Sequence, residues 1–339
     1  MCGIVGILSN QPVAHHLMDA LRHLEYRGYD SAGIATMENG VLARRRAAGK
    51  LKNLEELVEK EPLAGTIGIG HSRWATHGKP SLENAHPHMT QNVAVVHNGI
   101  IENYKELRES LLGDGINFES ETDTEVIAHL VTKALRGGKP PKQAVSETLK
   151  KLRGAFALAF LFDGEEDLII CARQGSPLAI GHGDGSMYLG SDALALTDFT
   201  NDVTYLEEGD WAVLHRSGVE IFDRSDKPVQ RSQTRVPVEG SVVEKGPFKH
   251  FMLKEIHEQQ EVISHTLAHY IDLASETIKL PELPFDFAKL SRLSLSACGT
   301  AYFAALASRY WFERAARLPV DIDIASEFRY REAPLDADG

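Results

Sequence analysis

The sequence predicts an α+β protein, followed toward its C-terminus by the start of a separate α/β unit. Three observations lead there. From Ala155 to about Asp223, strand patterns follow one another with turn residues between them, which argues for antiparallel sheet and against a doubly wound parallel one. Before that stretch, strand patterns are interleaved with amphipathic helical ones. After Pro247 the texture changes to a long helix, then strand, tight loop, helix and strand.

The opening MCGIVGIL carries an apolar run, Ile4 to Leu8, that reads as a strand starting at once. Val13, Leu17, Leu21 and Leu24 then recur at helical spacing, and Gly28 is the expected stop before a loop from Arg27 to Ser31. SAGIATM, TIGIGH and NVAVVHN read as strands, and NYKELRESLL, TEVIAHLVTKAL and KQAVSETLKKL as helices. AFALAFLFDG, DLIICARQG, SMYLGSD, DWAVLHRSG and VEIFD make the strand-rich stretch. Asp226 to Pro247 is polar, with Pro and Gly, and reads as a linker. FMLKEIHEQQEVISHTLAHYI is a long helical pattern, and LSLSACGTAYFAALASRYWFERAA followed by VDIDIA begins a strand-helix-strand unit. Such a unit needs further strands to close its core. The expected division is residues 2–225, a linker over 226–247, and an incomplete unit over 248–339.

A 339-residue chain with 43% hydrophobic residues has length and apolar content for about two domains. Its formal charge of -12 argues against a nucleic-acid or anionic-membrane binder, since both need a basic footprint. The three cysteines, Cys2, Cys171 and Cys298, lie far apart and in no metal-ligand spacing, which suits a reducing cytoplasm and implies no disulfide framework. The opening run lacks the charged flank of a secretory signal, and no later run nears the roughly 18 apolar residues of a membrane span.

Cys2 has two readings. A cysteine in an apolar strand is commonly a small buried hydrophobe. At position 2, removal of Met1 would instead place a free α-amine, of pKa near 8, on the residue that bears the thiol, as a built-in general base. Asn98-Gly99 ends a strand pattern with an amide side chain and a backbone N–H, either a hairpin turn or the donors of an oxyanion hole. In HSRWATHG, Arg73 could pair with a substrate carboxylate or make an ordinary salt bridge. Thr122 and Glu125 have capping-box spacing, so Asp123 could serve the helix dipole or a substrate ammonium. His71, His77, His86, His88 and His97 raise a metal site, but no HExxH or CxxC accompanies them.

In order along the chain, CGIVGI, LEYRGYDSAG, HSRWATHG, NAHPH, HNGIIEN and SETDTEV resemble the glutaminase domain of the glucosamine-6-phosphate synthase family, among the N-terminal-nucleophile glutamine amidotransferases. FKHFMLKEIHEQ and SACGTAYFAALASRYWFE resemble the start of that family's sugar-phosphate isomerase domain. The resemblance implies a four-layer αββα glutaminase fold, with Cys2 as nucleophile through a γ-glutamyl thioester and Asn98 and Gly99 as the oxyanion hole. It implies that Arg73, Thr76, His77 and Asp123 hold glutamine, that Arg27 and His86 support the site, and that Trp74 lies in a loop closing over glutamine and gating ammonia. Cys298, Gly299 and Thr300 would lie near the sugar phosphate. The implied reaction passes ammonia from L-glutamine to fructose 6-phosphate and isomerises the product to glucosamine 6-phosphate, in amino-sugar biosynthesis. No metal or organic cofactor, nucleic acid or membrane is implied, and the full-length enzyme is expected to be a cytoplasmic homodimer.

Two residues depart from the family pattern. Ala301 follows CGT where the family usually has serine, and Gln260 stands where the helix signature usually ends in EQP. Later isomerase residues are absent, so glutamine hydrolysis alone is expected of the chain as given. Other N-terminal-cysteine amidotransferases, making phosphoribosylamine or asparagine, carry different second domains. A non-catalytic sugar-phosphate sensor would have no reason to keep Cys2, Arg73, Asn98 and Asp123 together.

Overall fold

A computed structural model describes residues 2–75, 78–236, 247–272, 277, 278, 280, 283 and 285–335. The chain divides into two compact units, Met1–Lys254 and Glu255–Gly339.

The first unit begins with β1 (Gly3–Leu8), α1 (Ala14–His23), β2 (Ser31–Glu38), β3 (Val41–Ala48), α2 (Leu51–Lys60) and β4 (Ile67–Arg73). It continues with β5 (His88–Met89), β6 (Val93–Ile101), α3 (Tyr104–Gly113), α4 (Glu125–Arg136), α5 (Pro141–Leu149) and β7 (Gly154–Phe162). It ends with β8 (Ile169–Gln174), β9 (Ala179–Gly183), β10 (Ser186–Gly190), β11 (Asp202–Tyr205), β12 (Trp211–His215), β13 (Gly218–Phe222), β14 (Pro228–Val229) and β15 (Gln233–Arg235). An eight-stranded sheet has the order β15-β11-β9-β10-β1-β4-β2-β3, and a seven-stranded sheet the order β14-β13-β12-β8-β7-β6-β5.

Period-two alternation decides the layers. Ile4 and Leu8 of β1, Ile67 and Ile69 of β4, Ala94 and Val96 of β6 and Ala157, Ala159 and Leu161 of β7 form one core between the two sheets. The intervening Val5 and Ile7 turn outward and pack with Leu17 and Leu21 of α1 and Leu54 and Val58 of α2. On the far side, Val93, Val95, Leu158 and Phe160 pack with Val126 and Val131 of α4 and Ala144 and Val145 of α5. The result is the αββα arrangement of helix, sheet, sheet, helix. β1 is apolar throughout because it pairs with β4 on one side and β10 on the other and is buried on both faces.

Several elements differ from the sequence reading. β3 carries Arg44, Arg45 and Arg46, which hide its strand character; it is an edge strand, where such charges discourage further pairing. The stretch from Asp226, expected to be linker, instead begins with β14 and β15, which pair with β13 and β11 at the sheet edges. Its residues 237–246 lie outside the described residues. The capping box before α4 does not form: Thr124 is the N-cap, without a side-chain cap bond. The Glu125 carboxylate accepts from Glu119 N at 2.8 Å and Ser120 N at 2.7 Å, holding the preceding loop instead.

In the second unit, β18 (Leu293–Ala297), α7 (Gly299–Trp311) and β19 (Val320–Ile324) form the expected strand-helix-strand, with β18 and β19 parallel and Leu293 opposite Val320. A short antiparallel pair, β16 (Ile271–Asp272) and β17 (Thr277–Ile278), precedes it, and α8 (Ala325–Arg331) follows. The division between units falls within α6 (Phe251–Tyr270), which runs unbroken through Gln260, whose carbonyl accepts from Ser264 Oγ at 2.7 Å. No helix among the described residues is long and apolar enough to cross a membrane.

Candidate active site

The apolar layer between the sheets turns polar at one end. Continuing the alternation of β1, β4 and β6 past Ile4, Ile69 and Val96 reaches Cys2, His71, Arg73 and Asn98. The register opposes Gly3 to Ser72, so Cys2 comes level with Arg73 across the sheet. Asn98 reaches Cys2 from the other sheet, its Nδ2 donating to the Cys2 carbonyl at 3.0 Å.

Cys2 is half-buried, and its Sγ accepts from Trp74 N at 3.2 Å while the thiol faces the Trp74 carbonyl at 3.4 Å. Burial pushes the thiol above its ordinary pKa, while the Trp74 amide and the Arg73 charge pull it down. Asn98-Gly99 is no hairpin turn; both residues lie within β6, opposite Ala157 and Phe156 of β7. Gly99 has φ +119°, and a Cβ there would lie 2.0 Å from the Ala155 carbonyl oxygen, so the strand bends there only as glycine.

Arg73 is 3% exposed, with its guanidinium donating to the carbonyls of Gly78 at 3.1 Å and Lys79 at 3.3 Å. Burial lowers its pKa, and Cys2, Asp30 and Asp123 are close enough to oppose that shift. Asp123, 5% exposed, accepts from Ile101 N at 2.8 Å through Oδ2, while its Oδ1 lies 3.9 Å from His97 Nδ1. A buried cation and a buried anion therefore flank the thiol end of the layer, which suits a zwitterionic ligand. The loop after β4 is tied down by Asp30, whose Oδ2 accepts from Ala75 N at 2.8 Å. Gly28 lets the preceding loop lie against it, since a Cβ there would be 2.7 Å from the Arg73 carbonyl carbon. Trp74 is 44% exposed and meets Tyr29 edge-on at 5.6 Å.

Behind these residues sits a buried histidine cluster. His71 stacks on His86 at 4.2 Å, and His86 meets His88 edge-on at 4.7 Å. Thr124 Oγ1 bonds both His86 Nε2 and His97 Nδ1 at 2.9 Å, and Thr122 Oγ1 bonds His88 Nε2 at 3.0 Å. Burial lowers the pKa of His71 to about 3 and those of His86 and His88 in the same direction, so these rings stay neutral. No group of three or more His, Cys, Asp or Glu among the described residues is placed to hold a metal.

Thus Cys2, Arg73, Trp74, Asn98, Gly99, Asp123 and His86 come together at one end of the inter-sheet layer. Arg27 bonds Tyr26 Oη at 2.9 Å and pairs with Asp192, anchoring its loop to the segment after β10. Thr76 and His77 lie outside the described residues. Cys298, Gly299 and Thr300 form the exposed turn from β18 into α7, with Gly299 at φ +59°. Sequence reasoning gave no role to Asp30 or Thr124, and weighed His71 only as a member of a metal site. For His71 the signal was present: it shares strand parity with Arg73.

Residues 71–198 match the profile of the glutamine amidotransferase domain. The chain is 63% identical over 337 residues to the glutamine–fructose-6-phosphate aminotransferase (isomerizing) of Mesorhizobium japonicum, covering 99% of this chain and 56% of that protein. It is 60% identical over 336 residues to the protein of the same name from Bradyrhizobium diazoefficiens, covering 99% and 55%. The chain therefore spans about half the length of these curated relatives. Among solved structures, a glutamine phosphoribosylpyrophosphate amidotransferase from B. subtilis shares the fold, with a TM-score of 0.60 at 20% identity over 99% of this chain and 71% of that one. The resemblance carried by the motifs is matched along nearly the whole sequence.

Proposed function

We propose that this chain carries the glutamine-hydrolysing site of a glutamine-dependent aminotransferase that converts fructose 6-phosphate to glucosamine 6-phosphate. The observation that carries the reading is the convergence of Cys2 with the Asn98 amide, at 3.0 Å from its carbonyl, between buried Arg73 and buried Asp123. Arg73 takes the α-carboxylate of glutamine and Asp123 its α-ammonium, with Thr76 and His77 as further contacts. With Met1 removed, the α-amine of Cys2 accepts the thiol proton as Sγ attacks the side-chain amide carbon. The oxyanion that forms is held by Asn98 Nδ2 and the Gly99 N–H, where one donor is worth roughly 3 kcal/mol of barrier. The C–N bond then breaks as the amine returns its proton to the leaving nitrogen, giving ammonia and a thioester. Water, deprotonated by the same amine, releases glutamate and restores the thiol.

Trp74 closes over bound glutamine in this reading, which its exposure beside Cys2 supports. Ammonia passes to fructose 6-phosphate, whose phosphate is expected near Cys298, Gly299 and Thr300 at the N-terminus of α7. The parent enzyme is read as a cytoplasmic homodimer. The test is glutamate release from glutamine by the purified chain with intact-mass measurement. Release by a protein lacking Met1 supports the reading; active protein that retains Met1 removes the α-amine base, and inactivity of the processed chain overturns the function.

A further inference from the structure

We propose that His71 is a positioning residue that locks the side-chain amide of Asn98 with its N–H face toward Cys2. The inference rests on the glutaminase reading above and deepens it. His71 Nε2 lies 3.0 Å from the main-chain carbonyl of His97 and 3.1 Å from Asn98 Oδ1. A main-chain carbonyl cannot be flipped, so it accepts only from an N–H, and the His71 ring must carry its proton on Nε2. That proton then faces Asn98 as a donor, which requires the oxygen of the Asn98 amide on the His71 side. The Nδ2 is left facing Cys2, where it meets the Cys2 carbonyl at 3.0 Å. Flipping the amide would set N–H against N–H at His71 and oxygen against oxygen at Cys2.

Each link is held in place by burial. His71 is fully buried on the inter-sheet face of β4, and His86 stacks on its ring at 4.2 Å. Its Nδ1 is buried with no hydrogen-bond partner among the described residues, as fits the bare nitrogen of the Nε2–H tautomer. The imidazole stays neutral far below neutral pH, so the arrangement holds through the working range. His71 thus acts on the oxyanion through Asn98 and touches no substrate atom itself.

The experiment is a double-mutant cycle on the full chain, read as kcat and KM for glutamate release. Asn98→Ala is expected to lower kcat about 10²- to 10³-fold. His71→Leu, which removes the donor, should lower kcat at least about tenfold with KM within about threefold. His71→Gln can place an amide N–H near the Nε2 position and should recover most of that loss. In the Asn98→Ala background, His71→Leu should cost less than about twofold more. Additive losses, a change confined to KM, or Gln no better than Leu would overturn the proposal. Nitrogen NMR of histidine-labelled wild-type protein does not depend on any variant folding: His71 protonated on Nε2 between about pH 5 and 8 is expected, and an Nδ1–H tautomer overturns it. Absence of glutamate release by the wild-type chain would sink the proposed function, whereas an active wild type with an unaffected His71→Leu sinks only this inference.

Discussion

Cys2 and Cys171 face the same layer between the sheets, and their surroundings could hardly differ more. Cys171, in β8, is wholly buried in the apolar core, and desolvation drives its thiol far above the ordinary range. Cys2 stands at the layer's polar end, half-buried; burial raises its thiol pKa too, but here the Trp74 amide on its sulfur and the nearby Arg73 charge oppose that rise. The same residue type on the same face is a packing group in one place and, in the proposed function, the nucleophile in the other. What separates them is the company at the end of β1, where strands from both sheets bring polar groups.

The largest effect should come from exchanging the two thiols for methyl groups in turn. Cys2→Ala is expected to abolish glutamate release, by at least about 10³-fold, without lowering thermal stability. Cys171→Ala should keep kcat within about twofold and cost about 1 kcal/mol of stability. Equal activity in both variants would erase the distinction. A smaller effect is expected at Asp123, which the proposed function places on the substrate ammonium. Asp123→Asn can still accept from Ile101 N but loses its charge, so KM should rise about tenfold with a lesser change in kcat. If kcat falls while KM holds, the carboxylate acts on the reacting atoms and not on the ammonium.

The gentlest test concerns the histidines behind the polar end. His71, His86 and His88 are neutral in the folded protein well below their ordinary pKa near 6.5, whereas the unfolded chain takes up protons there. The unfolded state binds more protons in that window, so stability is full above about pH 6.5 and is lost as pH falls toward the lowered folded pKa values. Each ring can contribute up to about 1.4 kcal/mol per pH unit, which urea denaturation between about pH 7 and 4 would read as a falling midpoint. A midpoint insensitive to pH over that range would mean the rings are protonated in the folded state.

Much of the fold was legible in the alternation of apolar residues. AFALAFLF reads as a strand, and it is β7, which the structure buries on both faces. VLARRRAA did not read as a strand, because an edge strand in this sheet tolerates arginines that a central one could not bury. Asn98-Gly99 looked like a turn because its residue types favour one. The partner strand β7 holds it extended instead. Arg73, Asn98 and Asp123 were recognisable as chemical types and through the family motifs. Asp30 was not, and His71 was weighed only as a metal ligand, because their importance lies in whom they touch.

Taken alone, the sequence determined the strand periods, the mix of helix and antiparallel sheet, and the placing of a cysteine where removal of Met1 would expose an amine. Those depend on neighbours within a few residues, whose sterics and polarity are written locally. Only the tertiary structure decided that Cys2 meets an amide 96 positions away and that His71 orients that amide from between the sheets. Hydrogen bonds across two packed sheets depend on register and on sheet facing sheet, and no local pattern encodes either.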